Sequence, residues 1–272
     1  MLIAAYLFIL GACLGSFVNA LVWRTHQRQA GKNKASPSIF NGRSMCTHCR
    51  HELAAWDLIP VVSWLLLRGR CRYCKKHIDD SPLVELSTGL VFVLSYIFWP
   101  QALHSGQLIL FVTWLVCGVG LMALLVYDLK WMLLPNTVLY PTFFIAVAGR
   151  LVYLIGYQPD RLHGLIQWGL GVAVAAGIFG LIFYLSHGKW IGFGDVRLGL
   201  ITGTLLASPG KSFLMIFLAS VLGLAAIIPL IGLNKRRLSA KIPYGPFLIS
   251  ATFICVLFGG SLINWYQNLF GL

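Results

Sequence analysis

Three of the eight acidic residues lie in or beside long apolar stretches, where an ionised carboxylate is costly and is a functional candidate by default. Asp128 ends one apolar run, Asp195 follows Gly-Phe-Gly at the start of another, and Glu85 lies about one turn into a third. Helix capping would account for Asp195 without any function. For Glu85, a favourable interaction with the helix dipole is as good an explanation as a functional role. Neither explains Asp128, because a negative charge near a helix C-terminus opposes the macrodipole.

Asp128 and Asp195 together could do the chemistry of an aspartic protease. Two carboxylates within a few ångströms of each other cannot both ionise easily, so we expect the pair to hold one proton. The ionised carboxylate can then take a proton from water while the protonated one polarises a carbonyl. Gly192 and Gly194 would let a substrate backbone come close. The G-x-G-D pattern gains weight only when it is joined to the second acid.

Four cysteines form two C-x-x-C pairs separated by 21 residues, Cys46 with Cys49 and Cys71 with Cys74. This is metal-ligand spacing, and four thiolates suit the tetrahedral preference of zinc. A closed four-sulfur shell leaves no position for substrate, so we expect a structural zinc. Two disulfides are the alternative, which a reducing cytosol disfavours. Three histidines are spare candidate ligands and three cysteines in apolar runs are expected to pack: His48, His51 and His77, and Cys13, Cys117 and Cys255.

The elements that must position these residues are membrane helices. Hydrophobic residues make up 58% of the chain and charged residues 11%, with a mean hydropathy of +0.79, which excludes an ordinary soluble globule. Uncharged runs long enough to span a bilayer cover 1–23, 82–103, 107–127, 134–157, 162–187, 212–233 and 243–265, and a shorter run covers 196–208. We interpret all eight as helices, the short one packed inside the bundle or tilted at its edge. The predicted fold is an all-α polytopic membrane protein of about eight transmembrane helices.

Basic residues set the predicted orientation. The segment 24–76 carries eleven of the 21 Lys and Arg residues, and a second cluster comprises Lys235, Arg236, Arg237 and Lys241. Short basic loops stay in the cytoplasm, so both segments are placed there, with the N-terminus outside. The opposite side receives little beyond Arg161 and Lys211. The net charge of +13 therefore reflects topology and anionic lipid rather than nucleic-acid binding.

This orientation gives a domain organisation and a depth for the candidate site. We expect a first transmembrane helix (1–23), a cytoplasmic zinc-knuckle insertion (24–81) and a transmembrane aspartyl peptidase bundle (82–272). With eight helices, Asp128 and Asp195 both emerge at the cytoplasmic boundary.

Seven sequence blocks carry a resemblance to a known family. They are G-S-F-V-N (15–19) followed by Arg24, the paired C-x-x-C insertion, W-D-L-I-P-V-V-S-W-L (56–65), P-L-V-E (82–85), D-L-K-W-M-L-L-P-N (128–136), G-F-G-D (192–195) and P-Y-G-P-F-L (243–248). In this order they resemble the type 4 prepilin peptidases, bacterial members of the G-x-G-D intramembrane aspartyl proteases.

The resemblance implies a function and a set of site residues. Asp128 and Asp195 carry over as the catalytic pair, and the four cysteines as zinc ligands. The family removes basic leaders from type IV prepilins and pseudopilins, cutting after a glycine at the cytoplasmic face of the inner membrane. Many members also methylate the new N-terminus with S-adenosylmethionine, and for that donor the candidates here are Glu85 and the insertion.

Three other functions remain as alternatives. In an ion- or proton-coupled transporter, Asp128, Asp195 and Glu85 would be coupling sites. A membrane scaffold with a partner-binding zinc knuckle would leave the placement of both aspartates unexplained. A methyltransferase without protease activity would not need the aspartate pair.

Overall fold

The computed structural model of the chain describes residues 1–29, 44–78, 81–233 and 243–271. The basic cluster at 235–241 lies outside these residues. Nine α-helices lie within them: α1 (Leu2–Gln29), α2 (Val62–Leu66), α3 (Leu83–Ile97), α4 (Ser105–Trp131), α5 (Asn136–Gly156), α6 (Arg161–Leu185), α7 (Phe193–Leu206), α8 (Pro209–Leu233) and α9 (Gly245–Phe270). The predicted all-helical membrane fold is confirmed.

Six helices are long and apolar enough to cross a membrane, namely α1, α4, α5, α6, α8 and α9. Helices α3 and α7 have 15 and 14 residues. At 1.5 Å per residue they measure about 22 and 21 Å, less than the roughly 30 Å of a bilayer core. The chain is therefore a multi-pass membrane protein, and the predicted count of eight spans is not confirmed.

The chain divides into two compact units, Met1–Ile97 with Gly118–Val126, and Phe98–Cys117 with Tyr127–Leu272. In the first unit, two glycines of α1 bring it against α3. A Cβ at Gly11 would lie 2.9 Å from Cα of Gly89, and a Cβ at Gly15 would lie 2.7 Å from Cα of Glu85. Any side chain there would push the two backbones apart, as at other small-residue crossings in membranes. This contact fixes Glu85 beside α1.

Helix α1 also runs six residues beyond its predicted end at Trp23, to Gln29. Arg24 and Thr25 are buried on this extension, with exposures of 7% and 2%. The helix therefore continues because its polar end packs against protein, which an apolar run cannot reveal.

In the second unit, α7 is held closely by α6. A Cβ at Gly199 would lie 2.9 Å from the Ala175 carbonyl oxygen, and a Cβ at Gly203 would lie 2.8 Å from Cα of Val172. This second small-residue crossing keeps α7 in one axial position along α6.

The N-terminus of α7 is held to α5 by one arginine. Nη1 of Arg197 donates to Oδ1 of Asn136 at 2.6 Å, and the guanidinium lies 4.6 Å from the Phe193 ring centroid. Because Arg197 lies two residues after Asp195, these contacts orient the turn that carries the carboxylate.

Candidate active site and cysteine cluster

Asp128 lies in the last turn of α4 and is 6% exposed. Its carboxylate accepts a hydrogen bond from the backbone N–H of Gly245, the first residue of α9. The first four N–H groups of a helix have no partner within the helix, and they carry its positive dipole end. The charge that opposes the dipole of α4 is therefore stabilised by the N-terminus of α9.

Asp195 lies in the first turn of α7 and is partly buried. Its carboxylate accepts a hydrogen bond from the backbone N–H of Gly192, the N-cap residue, and its own N–H donates to the Gly192 carbonyl at 3.1 Å. This is the side-chain half of a capping box. The capping interpretation of Asp195 is thus realised, and it coexists with a second set of contacts.

The two carboxylates lie close enough to repel each other electrostatically. Both belong to the second unit, and each is bonded by the N-terminal N–H of a helix or its cap. Tyr244, the residue before α9, also interacts electrostatically with Asp195. Its hydroxyl lies 3.4 Å from Oγ of Ser220, and its ring packs edge-on at 5.8 Å from that of Phe179. An acid pair flanked by a phenol is equipped for proton transfer.

The two glycines of the G-x-G-D turn have different surroundings. Gly192 is exposed, in extended conformation at φ −75° and ψ 148°, and the nearest atom to a Cβ built on it is Oδ2 of Asp195 at 3.8 Å. A Cβ at Gly194 would lie 3.0 Å from Cδ1 of Leu134. Gly192 therefore faces open space beside the carboxylate, whereas Gly194 is a packing glycine in this structure.

Glu85 lines a cavity of about 150 Å³ in the first unit. Most of the other lining residues come from α1 and the insertion. Oε2 accepts from the backbone N–H of Val61 at 2.6 Å. Val61 has φ 63°, an uncommon value for a β-branched residue, so the bond stabilises a strained turn. Asn19 and Arg24 of α1 line the same cavity and are both buried. The cavity is thus lined by a positively charged residue, Arg24, and a negatively charged one, Glu85.

The two C-x-x-C pairs form two matching knuckles. In the first, the N–H of Arg50 donates to the Cys46 carbonyl at 3.0 Å, and in the second Lys75 donates to Cys71 at 3.0 Å. Arg50 and Lys75 have φ of 58° and 60°, and isolated bridges join Met45 to Glu52 and Arg70 to His77. The same turn therefore occurs twice, 25 residues apart in the sequence.

The four thiols meet as a tetrahedral zinc site requires. Their sulfur atoms all lie within 4.8 Å of one another, and those of Cys46 and Cys74 are 3.8 Å apart. Metal–sulfur bonds of about 2.3 Å give a tetrahedron with edges of about 3.8 Å. All four cysteines are free of disulfides. The predicted cluster is confirmed, and its donor set fits zinc.

The four thiols influence one another's ionisation. A hydrogen bond from the His51 N–H lowers the pKa of Cys49, but desolvation and hydrogen bonds with the other three thiols raise it to about 11. The thiol of Cys46 shows the opposite shift. Burial raises the pKa of this thiol, but hydrogen bonds from the backbone N–H groups of Cys49 and His48 and with neighbouring thiols lower it to about 6. A thiolate is the form that binds metal. The spare histidine His48 instead places its ring Nε2 3.1 Å from the His77 carbonyl oxygen. The ring of His51 packs against that of Tyr73 in a tilted arrangement, with 3.7 Å between the ring centroids.

Sequence reasoning missed Tyr244, Ser220 and the role of Gly245. The P-Y-G-P-F-L block was the available signal, because it belongs to the family resemblance. Its prolines allow either a helix break beside the site or the start of a helix, and the structure shows the second, since Pro246 lies in the first turn of α9.

Known proteins are similar to this chain over most of its length. Residues 9–99 match the Bacterial Peptidase A24 N-terminal domain, and residues 115–228 match the Type IV leader peptidase family. A prepilin leader peptidase/N-methyltransferase of Aeromonas hydrophila is 31% identical, covering 97% of this chain and 93% of its own length. The protein of the same name from Vibrio cholerae is 30% identical, over 94% of this chain and 96% of its own. No solved structure matches the chain. This chain belongs to the type IV leader peptidase family.

Proposed function

We propose that this chain is a membrane aspartic endopeptidase that removes the leader from type IV prepilins and pseudopilins and methylates the new N-terminus. Membership of the leader peptidase family and the names of its relatives support both activities. The observation that carries the peptidase assignment to residues is the electrostatic repulsion between the carboxylates of Asp128 and Asp195. The relatives give no support to the transporter alternative.

The proposed reaction uses the pair with one proton. The ionised carboxylate takes a proton from water as the water oxygen attacks the scissile carbonyl carbon, while the protonated carboxyl gives its proton to the carbonyl oxygen. The tetrahedral intermediate then collapses: the C–N bond breaks, the proton taken from water passes to the leaving amine, and one hydroxyl of the intermediate returns its proton to the second carboxylate, which restores the singly protonated pair. The N–H groups of Gly245 and Gly192 hold the two carboxylates in place throughout.

Gly192 is the better candidate for substrate approach. It is exposed beside Oδ2 of Asp195, so an extended substrate backbone can lie over it. Gly194 acts indirectly, because its contact with Leu134 brings the start of α7 against the segment after α4. A glycine before the scissile bond eases local unwinding of the substrate helix.

We place the reaction at the cytoplasmic face of the bacterial inner membrane. The segment 24–76 holds eleven of the 21 basic residues, which favours a cytoplasmic insertion. A leader that is itself basic remains on that side for the same reason. The zinc cluster, with four protein ligands and no open position, is structural and shapes the insertion.

For methyl transfer, the cavity lined by Asn19, Arg24 and Glu85 is the proposed donor site. S-adenosylmethionine supplies a methyl group activated by a sulfonium cation. Arg24 suits its carboxylate, and Glu85 suits its positive charge. The residues present therefore fit a ligand that carries both charge signs.

The peptidase assignment is tested with purified chain, a prepilin in detergent and S-adenosylmethionine, followed by mass spectrometry. The parent chain should release the leader and add one methyl group. Asp128→Asn and Asp195→Asn should each slow cleavage by about 100- to 10,000-fold, because neither amide can take part in the proton transfers. Folded variants that still cut at the parent rate would refute the pair.

A further inference from the structure

A second cavity, of about 250 Å³, lies in the second unit at the helix ends remote from the two aspartates. Its lining comes from the start of α4, the end of α5, the end of α7 and the start of α8. Asp128 lies at the end of α4 and Asp195 at the start of α7, so the cavity and the acid pair occupy opposite ends of these helices. The proposed peptidase reaction does not use it.

Two cations line this cavity. Arg150 comes from α5 and Lys211 from the first turn of α8, and their charges repel each other. In the described part of the chain, neither forms an ion pair with a carboxylate. Arg150 lies 5.4 Å from the Tyr153 ring centroid, and Lys211 interacts with Cys255. Two neighbouring cations inside a membrane protein are costly when no anion compensates them.

The cavity also contains buried donors that lack an acceptor. Nε of Arg150 and Nε1 of Trp99 are shielded from solvent and have no hydrogen-bond partner among the described residues. Both groups donate and cannot accept. Buried polar groups are almost always satisfied, so these two donors favour a ligand in the cavity that supplies acceptors.

The backbone also contributes positive charge to this cavity. Helix α8 begins at Pro209, and Lys211 follows two residues later. The first N–H groups of a helix carry the positive dipole end and attract anions. The side chains and the helix terminus therefore favour the same kind of ligand.

We propose that this cavity binds a phosphate group through Arg150 and Lys211. A tetrahedral oxyanion offers several acceptors at once, which the guanidinium, the ammonium and the indole N–H require. A phospholipid headgroup and free phosphate share this chemistry. The site would anchor the end of the bundle remote from the aspartates.

The test is thermal unfolding of the purified chain in a neutral detergent with matched pairs of probes. Sodium phosphate is compared with sodium chloride at equal ionic strength, and dihexanoyl phosphatidylglycerol with dihexanoylglycerol, which lacks the phosphate. Either phosphate probe should raise the Tm of the parent chain in a concentration-dependent way. A response to the lipid alone identifies a headgroup site, and a response to both shows that the free anion suffices.

Arg150→Gln and Lys211→Gln should each weaken the Tm response by about 10- to 100-fold in probe concentration, the loss of one charge-assisted hydrogen bond. Both variants are expected to fold, because each removes a like-charge repulsion. Arg161→Gln is the matched control, because Arg161 is exposed at the start of α6 and does not line the cavity. No Tm response in the parent chain, or an undiminished response in both cavity variants, would overturn the proposal.

Discussion

Asp128 and Asp195 solve the same electrostatic problem in different ways. The Asp195 carboxylate accepts a hydrogen bond from the Gly192 N–H at the start of its own helix. The Asp128 carboxylate instead accepts one from the Gly245 N–H at the start of α9. Two helix N-termini thus converge on two carboxylates. Because each dipole end favours negative charge, the arrangement stabilises an acid pair that the bilayer would otherwise disfavour.

Gly245 is the residue on which this arrangement depends most directly. A Cβ built on it would lie 2.5 Å from Oδ2 of Asp128. Gly245→Ala should therefore displace the carboxylate and slow prepilin cleavage by about 100-fold, the cost of a misplaced catalytic group. The measurement is the initial rate of leader release, alongside the Tm.

Gly260→Ala is the matched control for this prediction. Gly260 lies in the same helix, and a Cβ there meets nothing within 4 Å. Alanine should leave cleavage unchanged and favour the helix by up to about 1 kcal/mol. Equal rates for the two alanine variants would show that the Gly245 contact does not position Asp128.

Glu85→Gln separates the two proposed activities. Glutamine keeps an oxygen that can accept from the Val61 N–H, but it removes the negative charge from the cavity. We expect methyl transfer and donor binding to weaken by about tenfold or more, while leader cleavage continues. Isothermal titration with S-adenosylmethionine measures binding without the reaction. Parallel loss of cleavage and methylation would instead indicate that Glu85 only holds the turn at Val61.

At the scale of elements, the two knuckles are marginal without a metal. Their described residues include only a short α2, a four-residue 3₁₀ turn and isolated bridges, so little regular structure supports them. Zinc binding supplies about 10–16 kcal/mol in small zinc-finger peptides. One ion pair also links the second knuckle to the segment between the two knuckles: Asp57 accepts a hydrogen bond from Nε of Arg72 at 2.6 Å. Because the Arg72 side chain is exposed, this pair contributes little to the free energy of folding.

Cys71→Ser should therefore release zinc and expose the insertion to protease. Cys71 is 2% exposed, so a serine there removes a buried ligand that water cannot replace. We expect about one zinc per parent chain by elemental analysis, markedly less in the variant, and tryptic cleavage at Arg68, Arg70 and Arg72. Cys13→Ser, at an exposed position in α1, should keep its metal. Full zinc content in Cys71→Ser would contradict the four-thiolate site.

The helices and the cysteine cluster could be predicted because their signals are local. Apolar length gives a membrane helix and C-x-x-C spacing gives a knuckle, whatever surrounds them. Tyr244 and Ser220 could not be predicted, because their contact joins the segment before α9 to α8. The bond from Gly245 to Asp128 likewise joins residues 117 positions apart in the sequence. Such pairings depend on how helices cross, which composition does not encode.

At the scale of the whole molecule, the short helix α3 decides on which side of the membrane the aspartates lie, because Asp195 precedes the rest of α7. If α3 crosses, Asp128 and Asp195 lie on the same side as the insertion. If α3 does not cross, both aspartates lie on the opposite side. The pair stays on one side in either case, so the repulsion between the carboxylates does not discriminate between the two topologies. The basic residues do, because only the first topology keeps Lys130 and Lys189 in the cytoplasm.

Reporter fusions test this topology. We expect alkaline phosphatase, which is active only outside the cytoplasm, to be active when fused after Gln158 and inactive after His187. Green fluorescent protein, which fluoresces in the cytoplasm, should give the reverse pattern at the same two positions. A helix of about 22 Å can cross if the bilayer thins locally or if neighbouring helices cover its ends, at a modest cost per ångström. The opposite pattern at both fusions would show that α3 does not cross, and it would move the aspartates away from the cytoplasmic leaders they are proposed to cut.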